Sequence, residues 1–349
     1  MQHSGLARRA FLGSAAVAGA GLVTAATTGP AAAATTTATN TPATNTPATT
    51  VADDRPVPES AASPSATATA TATATDTVYR WLGTAGWRID HGRRTVLFDP
   101  YLTRFHTGLY DGTFSEATAL TVNTRLVDEH AGRPELVLVS HSHWDHINDV
   151  PHIALTTGAT VVGTETTYHL LRAWGVPAGQ LVVVRGGEVL DFGDGLVVEA
   201  VSARHSRNGR RQYFAPGTLH SAPAQPPATV GDLPEGDTLA FQLSFAGGPS
   251  AFLTGASDFA ERELAGLRPD IAMVAVPSSA STHRYVPRLL EALGRPRTVV
   301  PVHWDRFETE LVNPVRPDAD LGAFVAQVRQ ASPRSRVVVP DYLTPRTFR

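Results

Sequence analysis

Residues 141–149 read HSHWDHIND. Imidazole and carboxylate are the donor types that hold borderline divalent cations. In an extended segment His141 and His143 project to one side and can grip one ion together, whereas Asp145 and His146 begin the next turn and can face a second. Two such ions, about 3.5–4 Å apart, would lower the pKa of a shared water to around 7 and polarise the oxygen of a scissile carbonyl or phosphoryl group. That chemistry is hydrolysis, with Asp145 placed to orient the resulting hydroxide and take its proton. The expected cofactor is two divalent metal ions. Zinc suits the histidine count, and iron or manganese accept the same donors.

Such a cluster needs a rigid support. It follows ELVLVS, residues 135–140, which carries no charge after Glu135 and reads as a buried strand whose end delivers the cluster. Upstream, VYRWLG, WRIDHG and RTVLFDP read as a β-meander with glycine-containing turns. Downstream, LVVVRG, LVVEAVSA, DTLAFQLSF, SAFLTG, IAMVAV and RTVVPV read as strands, while TTYHLLRAWG, AERELAGL, RYVPRLLEALG and LGAFVAQVRQ carry helical spacing. Short β-branched runs alternating with amphipathic helices imply an α/β fold of stacked layers.

The HSHWDH segment resembles the H-x-H-x-D-H signature of the metallo-β-lactamase superfamily, and the resemblance extends over residues 77–349. It implies a four-layer αββα sandwich and supplies the remaining ligands in order. His205, ending the LVVEAVSA strand, is similar to the third histidine around the first metal. Asp258, in TGASDF after the SAFLTG strand, is similar to the bridging carboxylate, although the family often places this aspartate directly after the glycine and here Ala256 and Ser257 intervene. His303, in PVHWDRF, is similar to the last histidine of the second metal. The expected metal set is therefore His141, His143, Asp145, His146, His205, Asp258 and His303.

β-Lactamases of this fold commonly carry a cysteine at the second metal, or a histidine immediately after the motif. This chain has no cysteine and has Ile147 at that place, which argues against antibiotic hydrolysis. The opening WLGTAGWRID, the FDPYL segment and the closing PVHW resemble the branch that includes N-acyl phosphatidylethanolamine phospholipase D and the ascorbate-phosphate lactonases. That resemblance implies a small-molecule or lipid substrate cleaved at a phosphodiester or related ester bond, with lactone hydrolysis as the alternative. In SARHSRNGRR, Arg207 and Arg211 lie near His205, and arginine forks suit phosphate. The segment onward to Asp237 is a proline-rich insertion long enough to form a lid. His283, in SSASTHRYVP, falls where the branch carries a substrate-side catalytic histidine. Trp144 and Tyr101 are expected to line the mouth of the site. Two other readings of the fold are an iron-dependent redox enzyme and a non-catalytic surface protein.

Composition sets the outer limits. With 29 Lys plus Arg against 32 Asp plus Glu, the net charge of −3 provides no basic field for nucleic acid, so none is expected as a partner. Zero cysteines exclude disulfides, thiolate ligands and a cysteine nucleophile. Residues 1–34 read as a signal peptide: Arg8 and Arg9 followed by Ala10, Phe11 and Leu12 resemble the twin-arginine signal, and the run Ala31 to Ala34 offers small residues for cleavage. Residues 35–76 repeat TNTPAT and ATATAT, with hardly a large apolar side chain to offset the entropy of ordering, and read as a linker. Export by the twin-arginine machinery to the extracellular, cell-wall or periplasmic space is expected. The catalytic domain should span 77–349, with no stable transmembrane segment in the mature form.

Overall fold

The computed structural model describes residues 76–319 and 321–348. The signal peptide expected over 1–34, and all but the last residue of the linker expected over 35–76, lie outside the described residues.

The first sheet has the order β15-β1-β2-β3-β4-β5-β6. The meander is β1 (Thr77–Gly83), β2 (Gly86–His91) and β3 (Arg94–Phe98), paired antiparallel. From β3 the sheet continues parallel through β4 (Leu136–Leu138), β5 (Thr160–Gly163) and β6 (Leu181–Val183), and β15 (Arg346–Thr347) closes the other edge. The second sheet has the order β11-β8-β9-β10-β12-β13-β14, with β7 (Val189–Asp191) also paired to β8. Its members are β8 (Leu196–Arg204), β9 (Leu239–Phe245), β10 (Ala251–Thr254), β11 (Asp258–Phe259), β12 (Ile271–Ala275), β13 (Thr298–Val302) and β14 (Arg336–Val337).

Side-chain alternation sorts the first sheet onto two cores. Val96, Phe98, Leu136, Leu138 and Val162 face the second sheet and join its Val198, Ala200 and Phe241. The intervening Leu97, Val137 and Val161 point the opposite way. There they pack under α1 (Thr124–Ala131), α3 (Val150–Thr157) and α4 (Glu165–Ala173) through Val127, Ile153 and Leu170. A period of two therefore builds both a sheet–sheet and a sheet–helix interface. On the far side of the second sheet, α5 (Tyr285–Ala292) and α6 (Leu321–Ala331) bury Leu289, Leu290, Phe324 and Val328. The result is the expected αββα sandwich. Among the described residues no helix is long and apolar enough to cross a membrane.

Two local expectations need correction. AERELAGL forms a single 3-10 turn at Glu261–Leu264 instead of a helix, because Gly266 turns left-handed at φ 93° and Pro269 follows, leaving too few residues to offset helix nucleation. Helices α1 and α3 were not expected. Their start signals are the Asn123 side chain, which accepts from Leu126 N at 3.1 Å, and Pro151 in the first turn of α3.

Candidate metal centre

Three strand ends build the site. After β4 the chain continues extended through His141 and His143, then turns into the four-residue α2 (Trp144–Ile147), which carries Asp145 and His146. His205 follows β8 directly, and His303 follows β13. Two triads result. In each of the sets His141, His143, His205 and Asp145, His146, His303, the candidate donor atoms lie within 4.8 Å of one another. The first is nearly symmetric, with ring centroids 4.8, 4.8 and 4.7 Å apart. His141 and His146, with centroids at 3.9 Å, join it to the second.

Hydrogen bonds choose which nitrogen of each ring faces inward. Nδ1 of His141 is engaged by Ser140 Oγ at 2.9 Å, Nδ1 of His205 by the Ser206 carbonyl at 2.8 Å, and Nδ1 of His146 by Asp99 Oδ2 at 2.8 Å. Nε2 of His141 and of His143, both in the first triad, are buried and have no hydrogen-bond partner. A buried polar atom without a partner costs about 1–3 kcal/mol, so convergence of such atoms on one spot is the mark of a site built for a ligand. Nitrogen donors with one carboxylate are the donor set of zinc, and of iron or manganese; the residues fit divalent metal.

The electrostatics of the first triad agree. Burial, reinforced by neighbouring imidazoles, holds His141 and His143 well below the usual histidine range, and burial takes His205 down to about 4. These rings are neutral, with lone pairs available. Burial also disfavours charge on His146, but the Asp145 and Asp99 carboxylates outweigh it and push that ring up to about 10. Asp145 is the converse case: burial opposes its ionisation, and His146 followed by His303 hold it well below the usual carboxylate range. Asp145 Oδ2 stands 3.2 Å from His303 Nε2 and 3.5 Å from His146 Nε2.

Asp258 joins neither triad. It lies in β11, opposite Arg204 in β8, in a separate crevice beside Tyr285. The reason is local. A Cβ on Gly255 would stand 2.3 Å from Ser140 Oγ and 2.6 Å from Asp99 Oδ2, so the chain touches the floor of the site at Gly255. It then leaves through buried Ala256 and through Ser257, whose hydroxyl bonds the Pro277 carbonyl. The two intervening residues carry the carboxylate past the site.

Asp99, which sequence reasoning did not assign, occupies the floor instead. It is fully buried, accepts from Ser140 N at 2.7 Å and from Ser140 Oγ at 2.6 Å, and pairs with His146. The FDP turn after β3 was the available signal. Asp305 was missed as well. His303 sits at φ 58° and Thr84 at φ 50°, both in the left-handed region. His303 N donates to Thr84 O at 2.7 Å, Thr84 N donates to Asp305 Oδ1 at 3.0 Å, and Asp305 Oδ2 accepts from Arg104 at 3.1 Å and from Tyr342 Oη at 2.8 Å. The buried carboxylate thus pins the turn that presents His303.

A cavity of about 680 Å³ opens in front of both triads. Trp144 lines it, as expected. Tyr101 does not; it is fully buried in the core beneath α1, α3 and α4. Arg207 is exposed and engaged with Tyr213, Arg211 occupies an exposed left-handed turn, and His283 is exposed; none of them lines the cavity. The insertion expected to form a lid supplies Ser206, Asn208 and Phe214 to the wall.

Known proteins resemble this chain in sequence and in fold. A family profile described as "Beta-lactamase superfamily domain" matches residues 94–304. A UPF0173 metal-dependent hydrolase of Pyrobaculum arsenaticum is 28% identical over 232 residues, 65% of this chain and 84% of the relative. One from Agrobacterium fabrum is 27% identical over 233 residues, 65% and 85%. Among solved structures, a metallo hydrolase from Ignicoccus hospitalis superposes with a TM-score of 0.52 at 20% identity, covering 79% of this chain and 99% of that one. A possible metal-dependent hydrolase from Veillonella parvula gives 0.50 at 15%, covering 79% and 100%. At such identities the superpositions speak for the fold alone. The profile covers more than half of the sequence and spans all six residues of the two triads, and the chain belongs to the beta-lactamase superfamily domain family.

Proposed function

We propose that the protein is a metal-dependent hydrolase that cuts an ester bond of a carboxylic or phosphoric acid with two divalent ions, one in each triad. The observation that carries this reading is the convergence of the two triads, with unpartnered imidazole nitrogens, on one open cavity. Bound there, the ions supply an acidified water and a Lewis acid for the oxygen of the scissile group.

The rest falls to the protein. His141, His143 and His205 present neutral rings whose orientation is fixed from behind by Ser140 and the Ser206 carbonyl. Asp145, held ionised by His146 and His303, is the one carboxylate in the triads and the group placed to orient a water and accept its proton. Trp144 and Phe214 shield the first triad from bulk water, which strengthens each electrostatic contact inside.

Both bond classes suggested by the sequence, phosphodiester and lactone, suit this machinery. The relatives' printed names, metal-dependent hydrolases, agree with the reading. The twin-arginine pattern at Arg8 and Arg9 adds that the enzyme acts outside the cytoplasm, loaded with metal before export. Metal analysis coupled to a panel of phosphodiester, lactone and lactam substrates tests the proposal. Turnover by protein that holds two ions per chain supports it, and undiminished turnover by metal-free protein refutes it.

A further inference from the structure

The three rings of the first triad each need a brace behind them, and two of the three braces lie in the insertion, residues 206–237. The Ser206 carbonyl engages Nδ1 of His205 at 2.8 Å. The Ala215 carbonyl accepts a hydrogen bond from the His143 ring. Because His143 Nε2 has no partner, the donor is Nδ1, and Nε2 is left for an ion. Only His141 is braced from its own strand end, by Ser140 Oγ. The second triad is held by other elements, with Asp99 behind His146 and the Thr84 carbonyl accepting from His303 N.

Ala215 reaches its place at φ 35°, a left-handed conformation that an alanine adopts only when its surroundings impose it. They do so through Glu235, at the far end of the insertion. Glu235 N donates to Ala215 O at 2.9 Å, and Glu235 O accepts from Ser142 N at 2.9 Å, so one residue joins the Ala215 carbonyl to the segment that carries His141 and His143. Gly236 N extends this closure to Gly217 O at 2.7 Å, and Leu219 N fastens it to α4 by donating to Thr166 Oγ1 at 3.0 Å. The fit is tight, since a Cβ on Gly236, itself at φ 73°, would stand 2.8 Å from Thr166 Cβ. At the near end of the insertion, Ser206 Oγ accepts from Ser257 N at 2.8 Å. Between the two ends Phe214 lies edge-on to His143 at 5.2 Å.

We propose that residues 206–237 form a clamp that completes the first metal position, with Ala215 and Glu235 as its positioning residues, so that ion capture by His141, His143 and His205 is coupled to seating of the insertion. The proposal rests on the two-ion reading of the site and adds that the two positions are unequal, because only the first is braced by the insertion. An ion that binds the seated insertion better than the loose one stabilises the seated form by the ratio of those affinities, and loosening the insertion must weaken the ion in return.

Zinc alone, titrated into metal-free full-length protein, tests this by calorimetry and by hydrogen exchange. Two ions should bind the wild type, and zinc should slow exchange over 206–237 by about tenfold or more with little change in α5 and α6. Thr166→Val keeps the shape of the side chain but removes the oxygen that accepts from Leu219 N, and Gly236→Ala drives a methyl group into Thr166. Each should weaken one zinc ion by about tenfold or more and leave the other at wild-type affinity, and Thr166→Ser should restore the first. Thr166→Val alone carries the test if Gly236→Ala does not fold. Wild-type binding of both ions by Thr166→Val, equal weakening of both, or exchange over 206–237 that is indifferent to zinc would each overturn the clamp while the two-ion site stood. A wild-type protein that takes up no zinc, iron or manganese would overturn the clamp and the two-ion reading together.

Discussion

At the scale of single residues, the centre depends on side chains behind the ligands as much as on the ligands. Asp99 reaches both triads, directly through His146 Nδ1 and indirectly through Ser140, whose hydroxyl engages His141. Outer partners of this kind fix ring tautomer and orientation. Replacing Asp99 by Asn keeps the shape but removes the charge behind His146, and should weaken ion capture by about tenfold to a hundredfold. Competition with a chromogenic chelator measures this, and wild-type affinity in the variant would show Asp99 to be incidental. The six residues that the structure brings together were legible because HSHWDH carries His141, His143, Asp145 and His146 within six positions, and His205 and His303 stand at strand ends. Asp258 misled because sequence order does not register where the backbone touches the floor. Gly255 does so, and two residues of offset put the next carboxylate in another crevice. Asp99 was hidden for a related reason: it is 41 residues from the Ser140 it anchors.

At the scale of elements, the strands and longer helices were readable from their periodicity, since alternating residues in β3, β4 and β5 sort between two cores. What periodicity could not reveal is the turn that aims His303. Its left-handed backbone is held through Thr84 by Asp305, whose partners Arg104 and Tyr342 lie 201 and 37 residues away. Arg104 and Asp305 side chains are 3% and 0% exposed, so removing one partner strands a buried charge. Asp305→Ala should therefore destabilise the protein by about 3–5 kcal/mol, and Tyr342→Phe by only about 1 kcal/mol. Denaturant unfolding distinguishes them, and equal small losses would mean that the pair contributes shape and not anchorage. A local closure of the loop explains the arginines. Proximity to His205 in sequence suggested a phosphate grip, but the loop turns at Arg211 with φ 63° and engages Arg207 with Tyr213, away from the cavity.

At the scale of the whole molecule, the net charge of −3 provides no strong global field, and local features at the site decide what it attracts. If the RRAFL segment is a twin-arginine signal, Arg8→Lys together with Arg9→Lys should abolish export, and the mature chain should begin near Thr35. N-terminal sequencing of exported protein reads the second outcome, and full-length chain confined to the cytoplasm would refute both. The central claim concerns metal, and elemental analysis of protein purified without added metal, coupled to ester hydrolysis, tests it most directly. Close to two divalent ions per chain are expected, with His143→Ala losing both metal and turnover. Protein free of zinc, iron and manganese that hydrolyses esters at the full rate would contradict it.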